Sequence, residues 1–275
     1  MTELILYESL DSFKAAVIPF LEEDEAENSL ILGLLMNAGS ETIPYLMALA
    51  REDGQPAAVL FQTIRRQIVM SKPRGLNAEK FVSVLMEKVK EIPGLVGEKE
   101  FTLKLSEKIA AAYGTDVKIR MNQRLYKMTE AKIVPSEKGR LVKADRRDLD
   151  MITDWMYQFG KETGDPLDRS EAEEKSREFL RRQSLYGWEA GGRLVSIANA
   201  ARPTRRNITV NFVYTPKDER KQGYATDCVA ALSRLLLNRG YQSLTLYTDL
   251  DNPTSNKIYT NIGYEPVMDA VVISF

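Results

Sequence analysis

The chain has 275 residues, 44% of them apolar and 28% charged, with a formal net charge of −1. That length suits two domains and a sizeable core, and the near-neutral balance provides no general field to attract nucleic acid or an anionic membrane. A single cysteine, Cys228, and no histidine exclude a disulfide framework, a Ser-His-Asp triad, a Cys-His dyad and any histidine-ligated or multi-cysteine metal site. A carboxylate-only metal site is left open by composition, but no acidic loop has calcium-site spacing, and no metal is expected. The start MTELILYESLDSFK lacks the basic start and apolar core of a signal peptide, and no run approaches the ~20 apolar residues of a membrane span. A cytoplasmic protein with no membrane or nucleic-acid partner is the expectation.

Residues 3–7 predict a short strand. Helical periodicity follows to about Glu22 and again from Asp24 to Met36. YLMALARED and QPAAVLFQTI predict two strands around the turn Glu52-Asp53-Gly54-Gln55, and RQIVMSKP a third, stopped by Pro73. A helix is expected over 77–91 with Asn77 as its cap, and another over 100–112 closed by Gly114. VKIRMNQRLYKM reads as a strand. The stretch 129–140, TEAKIVPSEKGR, is polar, proline-bearing and aperiodic, as a linker is.

After it the order recurs. Strand RLVKA is followed by helices over about Arg147–Phe159 and Ser170–Arg182, then strands LYGWEA, RLVSIANAA and NITVNFVYT. A helix over 223–239, strand SLTLYT, a short helix after Asn252 and a last strand ending VVISF complete the chain. The first half shows no clear strand before its last helix. The expectation is an α+β chain of two tandem copies of one fold, 1–130 and 131–275, each a mostly antiparallel sheet flanked by helices.

The most informative stretch joins strand 208–214 to helix 223–239. Five charged residues, Lys217–Lys221, lead through Gln222 to Gly223. Ala225, Cys228, Val229, Leu232, Leu235 and Leu236 then recur at helical spacing on one face. The first amides of such a helix lack internal partners, and its dipole puts partial positive charge there. Gly223 lets an anion approach the backbone closely, and Arg220 and Lys221 add counter-charge. The change of polarity fits a loop that wraps a diphosphate. Cys228, on the apolar face, reads as inert core.

Arg220-Lys221-Gln222-Gly223-Tyr224-Ala225 resembles the acetyl-CoA-binding signature of the GNAT acetyltransferase superfamily: Gln or Arg, two residues, Gly, one residue, Gly or Ala. DNPTSNKIYTNIGYEP (251–266) is similar to a later segment of the same family. There Asn252, Asn256 and Tyr259 share a helix face, Asn252 suits a cap, Pro253 the first turn and Gly263 the end. The resemblance covers about 135–275 and extends over 1–130 only in element order.

The resemblance implies acetyl-CoA as cofactor and direct acyl transfer to an amine of a small molecule or peptide. The fourth and fifth strands of the domain would splay around the pantetheine arm, held by backbone groups of Val213 and Thr215 as an added strand is held. The amides of Gln222, Gly223, Tyr224, Ala225 and Thr226, with Arg220 and Lys221, would grip the diphosphate. Asn252 and Asn256 would contact the arm, and Tyr259 would serve as the acid at sulfur. Family members often place a glutamate base on the fourth strand; NITVNFVYT has Asn207 and Asn211 instead. Glu189, on a neighbouring strand, is a candidate base through water, and an acceptor of depressed pKa would need none. Glu162, among the aromatics of WMYQFGKETGD, suits a cationic acceptor.

In the first half the matching loop reads KPRGLNAEK. Pro73 removes a donor and the Arg-x-x-Gly-x-Ala spacing is missing, so this half is expected to shape the active one rather than bind cofactor. A tandem chain mimics a dimer, hence a monomer is expected. Two other readings stand beside the transferase: a non-catalytic acyl-CoA-binding regulator, and aminoacyl transfer from charged tRNA. The absence of a basic stripe weighs against the latter.

Overall fold

The structure, a computed structural model, describes residues 1–39 and 41–275. It forms two compact units: Met1–Tyr126 with Tyr247–Pro253 and Pro266–Phe275, and Lys127–Leu246 with Thr254–Glu265. The first break in the chain falls just before the proline-bearing stretch 129–140. The last ten residues return to the first unit.

The first unit runs β1 (Thr2–Leu6), α1 (Leu10–Glu23), α2 (Ser29–Asn37), β2 (Leu46–Glu52), β3 (Gln55–Ile64), β4 (Gln67–Met70), α3 (Ala78–Lys88), β5 (Gly94–Glu98), α4 (Lys99–Tyr113) and β6 (Lys118–Met128). β1 to β4 pair antiparallel in sequence order, β4 pairs with β5 in parallel, and β5 pairs antiparallel with β12 (Glu265–Ser274). The strands alternate between two buried faces because side chains alternate along a strand. Met47, Leu49, Val59 and Phe61 pack with Phe13, Val17 and Leu32 of α1 and α2. Ala48, Ala50, Ala58 and Leu60 pack with Phe81, Leu85, Leu105 and Ile109 of α3 and α4.

β5 corrects the sequence reading, which found no strand there. Its two glycines gave the run Gly94–Glu98 the look of a turn after Pro93. Both are close-approach positions: a Cβ on Gly94 would strike the backbone oxygens of Ile273 and Arg66, and one on Gly97 would lie 2.7 Å from Thr102 Oγ1. The second helix also starts later than expected. Residues 24–28 form turns, held by Asn28, whose Nδ2 donates to the Leu21 carbonyl while its Oδ1 accepts from the Lys72 amide.

The second unit repeats the order with β7 (Arg140–Lys143), α5 (Leu149–Glu162), α6 (Arg169–Arg181), β8 (Leu185–Ala190), β9 (Arg193–Ala201), β10 (Asn207–Tyr214), α7 (Tyr224–Asn238), β11 (Ser243–Asp249) and α8 (Pro253–Ile262). β7 to β10 pair antiparallel, and β10 pairs with β11 in parallel. Ile152, Trp155 and Met156 of α5 cover Leu185, Ile197, Phe212 and Tyr214. Cys228, Val229, Leu232 and Leu236 of α7 are buried, with α7 packed on β8, β9 and β10. The architecture is the expected α+β one, mostly antiparallel with flanking helices. No helix among the described residues is long and apolar enough to cross a membrane, and no cluster there has the makings of a metal site.

Candidate active site

The site is built where β10 and β11 stop pairing. Their parallel ladder covers three pairs, Asn207–Thr209 with Ser243–Thr245, while β10 continues to Tyr214. A buried polar cluster fixes the root of this fork. Asn207 hydrogen-bonds Ser243 and Thr245, each at 3.0 Å, and Thr209 meets Thr245 at 3.2 Å. Beyond the root, β10 bends. Its register with β9 shifts between Asn211 and Tyr214, and Phe212 has φ +46, a left-handed backbone rare for a bulky residue. Val213 lies in this bent stretch and is half-buried.

Thr215 then leaves the strand, tied sideways by its hydroxyl to Ser196 Oγ at 2.9 Å. A short 3₁₀ turn, Lys217–Glu219, follows Pro216. Two of the loop's charges, Glu219 and Arg220, are engaged by the unit's own side chains. Glu219 is buried and paired with Arg193. Arg220 donates from Nε to the Thr215 carbonyl at 2.9 Å and from Nη2 to Glu162 Oε2 at 2.6 Å, over the Tyr214 ring. Asp227, the acid of the first turn of α7, accepts from the Ser136 amide at 2.8 Å and hydroxyl at 2.6 Å. Lys217, Asp218 and Lys221 are exposed.

The backbone amides are left uncovered. Gly223 is the N-cap of α7 at φ +86, and among the described residues no side-chain cap bonds the start of the helix. Lys221 also has a left-handed φ, +65, so Gln222 lies between two left-handed residues. Such alternation turns successive N–H groups to one side and makes an anion nest. Gln222, Gly223, Tyr224, Ala225 and Thr226, the residues expected to hold the diphosphate, span this stretch and the first turn of α7. Strain at a non-glycine residue such as Lys221 persists where a site over-determines it.

The corresponding start in the first unit is closed. Asn77 accepts the amides of Glu79 and Lys80 at 3.0 and 3.1 Å and so caps α3 itself. Arg74 ion-pairs with Glu23 and with Asp24, the latter at 2.8 Å.

Tyr259 lies on α8, 9% exposed, edge-on to Tyr264 at 6.0 Å. Burial alone raises its phenol above the ordinary value. Asn256 shares α8 with it, and Asn252 stands one residue before that helix, its amide bonded to the Asp249 carbonyl at 3.1 Å. The candidate base Glu189 is engaged elsewhere: Arg140 holds its carboxylate at 2.7 Å, beside the Gly191-Gly192 turn. Glu162, read from sequence as an acceptor contact, is joined to Arg220, read as a phosphate contact. Cys228 is fully buried, and burial pushes its thiol up to about 12.

One pair escaped the sequence reading. Asn199 of β9 is 1% exposed and donates from Nδ2 to Asn211 Oδ1 at 2.8 Å. The two stand opposite in the ladder, on the face shared by Leu185 and Ile197 and covered by α5. Asn199 Oδ1 is buried without a partner, a loss of about 1–3 kcal/mol that a purely structural position would shed. The available signal was two asparagines, depleted in strands, within otherwise strand-forming runs.

A comparison with curated proteins finds no match. Solved structures share the fold across nearly the whole chain. A GNAT-family acetyltransferase from Colwellia psychrerythraea is 12% identical with TM-score 0.63, covering 99% of each chain. A GCN5-related N-acetyltransferase from Sphaerobacter thermophilus is 13% identical with TM-score 0.64, covering 98% of this chain and 94% of that one. A tandem GNAT protein from the clavulanic acid biosynthesis pathway is 12% identical with TM-score 0.56, covering 99% and 97%. Residues 149–264 match the acetyltransferase (GNAT) family, whose members generally use acetyl-CoA, and the span takes in α5 through α8. The similarity to that family therefore lies in the second half of the chain.

Proposed function

We propose that the protein is an acetyl-CoA-dependent N-acetyltransferase that acylates an amine of a small molecule or peptide by direct attack. The observation that carries this is the open first turn of α7. A helix start with no side-chain cap, a left-handed Gly223 and a fork between β10 and β11 together suit a diphosphate and an extended arm. Acetyl-CoA supplies the activated acyl carbon and a thiolate leaving group. Gln222 to Thr226 bind the diphosphate through their amides, with Lys221 as counter-charge. The backbone of β10 near Val213, past its ladder with β11, and that of Thr215 orient the arm with Asn252 and Asn256. Tyr259 donates a hydrogen bond toward the charge developing on sulfur. Cys228, buried and strongly disfavoured as a thiolate, is unsuited to an acyl-enzyme route.

Calorimetry of the pure protein with acetyl-CoA and CoA, followed by thiol release over an amine panel, tests the reading. Binding in the micromolar range and turnover with at least one amine are expected. No heat with either ligand refutes it. Binding without turnover across the panel reduces it to acyl-CoA binding alone.

A further inference from the structure

The asparagine pair on β9 and β10 has a chemistry that the cofactor site does not use. Asn211 lies one residue before the bend at Phe212, on the face covered by α5 rather than among the amides of α7. Its oxygen is taken by Asn199. Among the described residues its side chain makes no other hydrogen bond, so what it offers is the two Nδ2 hydrogens. These can donate to an oxygen but cannot accept a proton.

Five carboxylates near β10 have partners. On α5, Glu162 is held by Arg220 at 2.6 Å and Asp154 by Arg169 at 2.9 Å. On β8, Glu189 is held by Arg140, and Glu219 of the loop by Arg193 of β9. On α7, Asp227 is bonded to Ser136. Tyr214, at the end of β10, lies under Arg220.

Resting on the transferase reading, we infer that Asn211, held by Asn199, positions the acceptor, and that the acceptor is an amine next to a carbonyl: the α-amine of an amino acid, its amide or a peptide. Two requirements meet in that class. Its oxygen accepts from Asn211 Nδ2. Its nitrogen, with pKa about 7.7–8.0, is neutral in roughly one molecule in 6 to 11 at pH 7, against about one in 2,500 for an alkylamine near 10.4. The neutral nitrogen gives its lone pair to the thioester carbon. The C–N bond forms, the C–S bond breaks with its electrons on sulfur, and the proton released from nitrogen ends on the thiol. No protein base is called on.

The test compares glycinamide with n-butylamine in thiol release between pH 6.5 and 9.5. For the wild type, kcat/KM for glycinamide should exceed that for butylamine by at least about 200-fold at pH 7, the ratio of neutral fractions. The glycinamide profile should level off near pH 8, while the butylamine profile keeps rising tenfold per pH unit. Asn211→Ala should reduce the preference at least 10-fold with unchanged affinity for CoA by calorimetry. Asn211→Asp, which restores a carboxylate, should flatten the butylamine profile. Asn199→Ala should move the preference in the same direction as Asn211→Ala. A common apparent pKa for both acceptors in the wild type, or an unchanged preference in Asn211→Ala, overturns the inference while leaving CoA binding and turnover intact. Failure of the wild type to bind CoA is a failure of the transferase reading instead.

Discussion

Tyr259→Phe removes one oxygen from a residue that is 9% exposed and stacked edge-on against Tyr264. The hydroxyl makes no hydrogen bond among the described residues, so its loss should change stability by less than about 1 kcal/mol. Its effect on turnover depends on what the phenol does. Full proton transfer from a phenol near 10 to a thiolate near 8.5 is uphill by about 2 kcal/mol, and burial raises the phenol further. In the proposed mechanism Tyr259 therefore donates a hydrogen bond to charge growing on sulfur rather than a whole proton. A hydrogen bond to a charged group contributes about 1.5–3 kcal/mol, which predicts a kcat about 10- to 150-fold lower in the variant. CoA affinity should hold, because the contact strengthens only as the C–S bond breaks. The phenol stays neutral well beyond its ordinary value of 10.0, so it imposes no fall in kcat between pH 7 and 9.5. The assay is thiol release at saturating acetyl-CoA, with a thermal melt of each protein. An unchanged kcat removes Tyr259 from the chemistry. A Tm lower by several degrees assigns it a structural role.

Other substitutions separate binding from stability. Gly223→Ala puts a Cβ at φ +86 with no atom within 4 Å of it. Calorimetry should show at least about 10-fold weaker CoA binding, and denaturation a loss of about 1–2 kcal/mol from the left-handed backbone. Asn77→Ala should cost α3 about 1 kcal/mol in urea unfolding and leave CoA affinity untouched. Deleting 266–275 removes β12 from the edge of β5 and with it the buried Val271 and Ile273. At about 1.5–3 kcal/mol for each side chain, the first unit should lose its cooperative melt, and an unchanged melt refutes the pairing. Asp269 is bonded to Arg124 at 2.6 Å, which lowers its pKa below the ordinary 3.8. That stabilisation is present above the unfolded value and disappears as pH falls through the folded one. Asp269→Asn should therefore be the less stable protein at neutral pH, and the difference should vanish in acid-unfolding curves below the carboxylate range.

Local chemistry made most of the elements legible. Asn77 announced α3, Gly114 ended α4, and the alternation of Met47, Ala48, Leu49 and Ala50 gave a strand buried on both faces. β5 was hidden because Gly94 and Gly97 serve packing against partners far away in sequence. The turns at 24–28 were hidden because Asn28 answers to Lys72, 44 residues away. The same limit applies to the site. Gly223 and its amides are contiguous and could be read. Glu162 and Arg220 carry opposite charges 58 residues apart, and nothing in either segment says that they meet. Asn199 and Asn211 are 12 apart, and only strand register makes them a pair.

The two units pose the same physical problem at the same point and solve it in opposite ways. Each has a helix that follows the first strand of a parallel pair, β4 then α3 and β10 then α7. Each such helix begins with amides that need acceptors. In α3 the acceptor is Asn77, one side chain that satisfies two donors. In α7 the residue before the helix is a glycine with nothing to offer, and the nearby acid, Asp227, is drawn away by Ser136. In the proposed function this open state of α7 is what favours binding, since amides held in place and unbonded lose little on meeting an anion. Ser136 thus bears on the start of α7 despite standing far from it in sequence. Without it, Asp227 would be free to turn its negative charge toward the same amides, and α7 would drift toward the closed condition of α3.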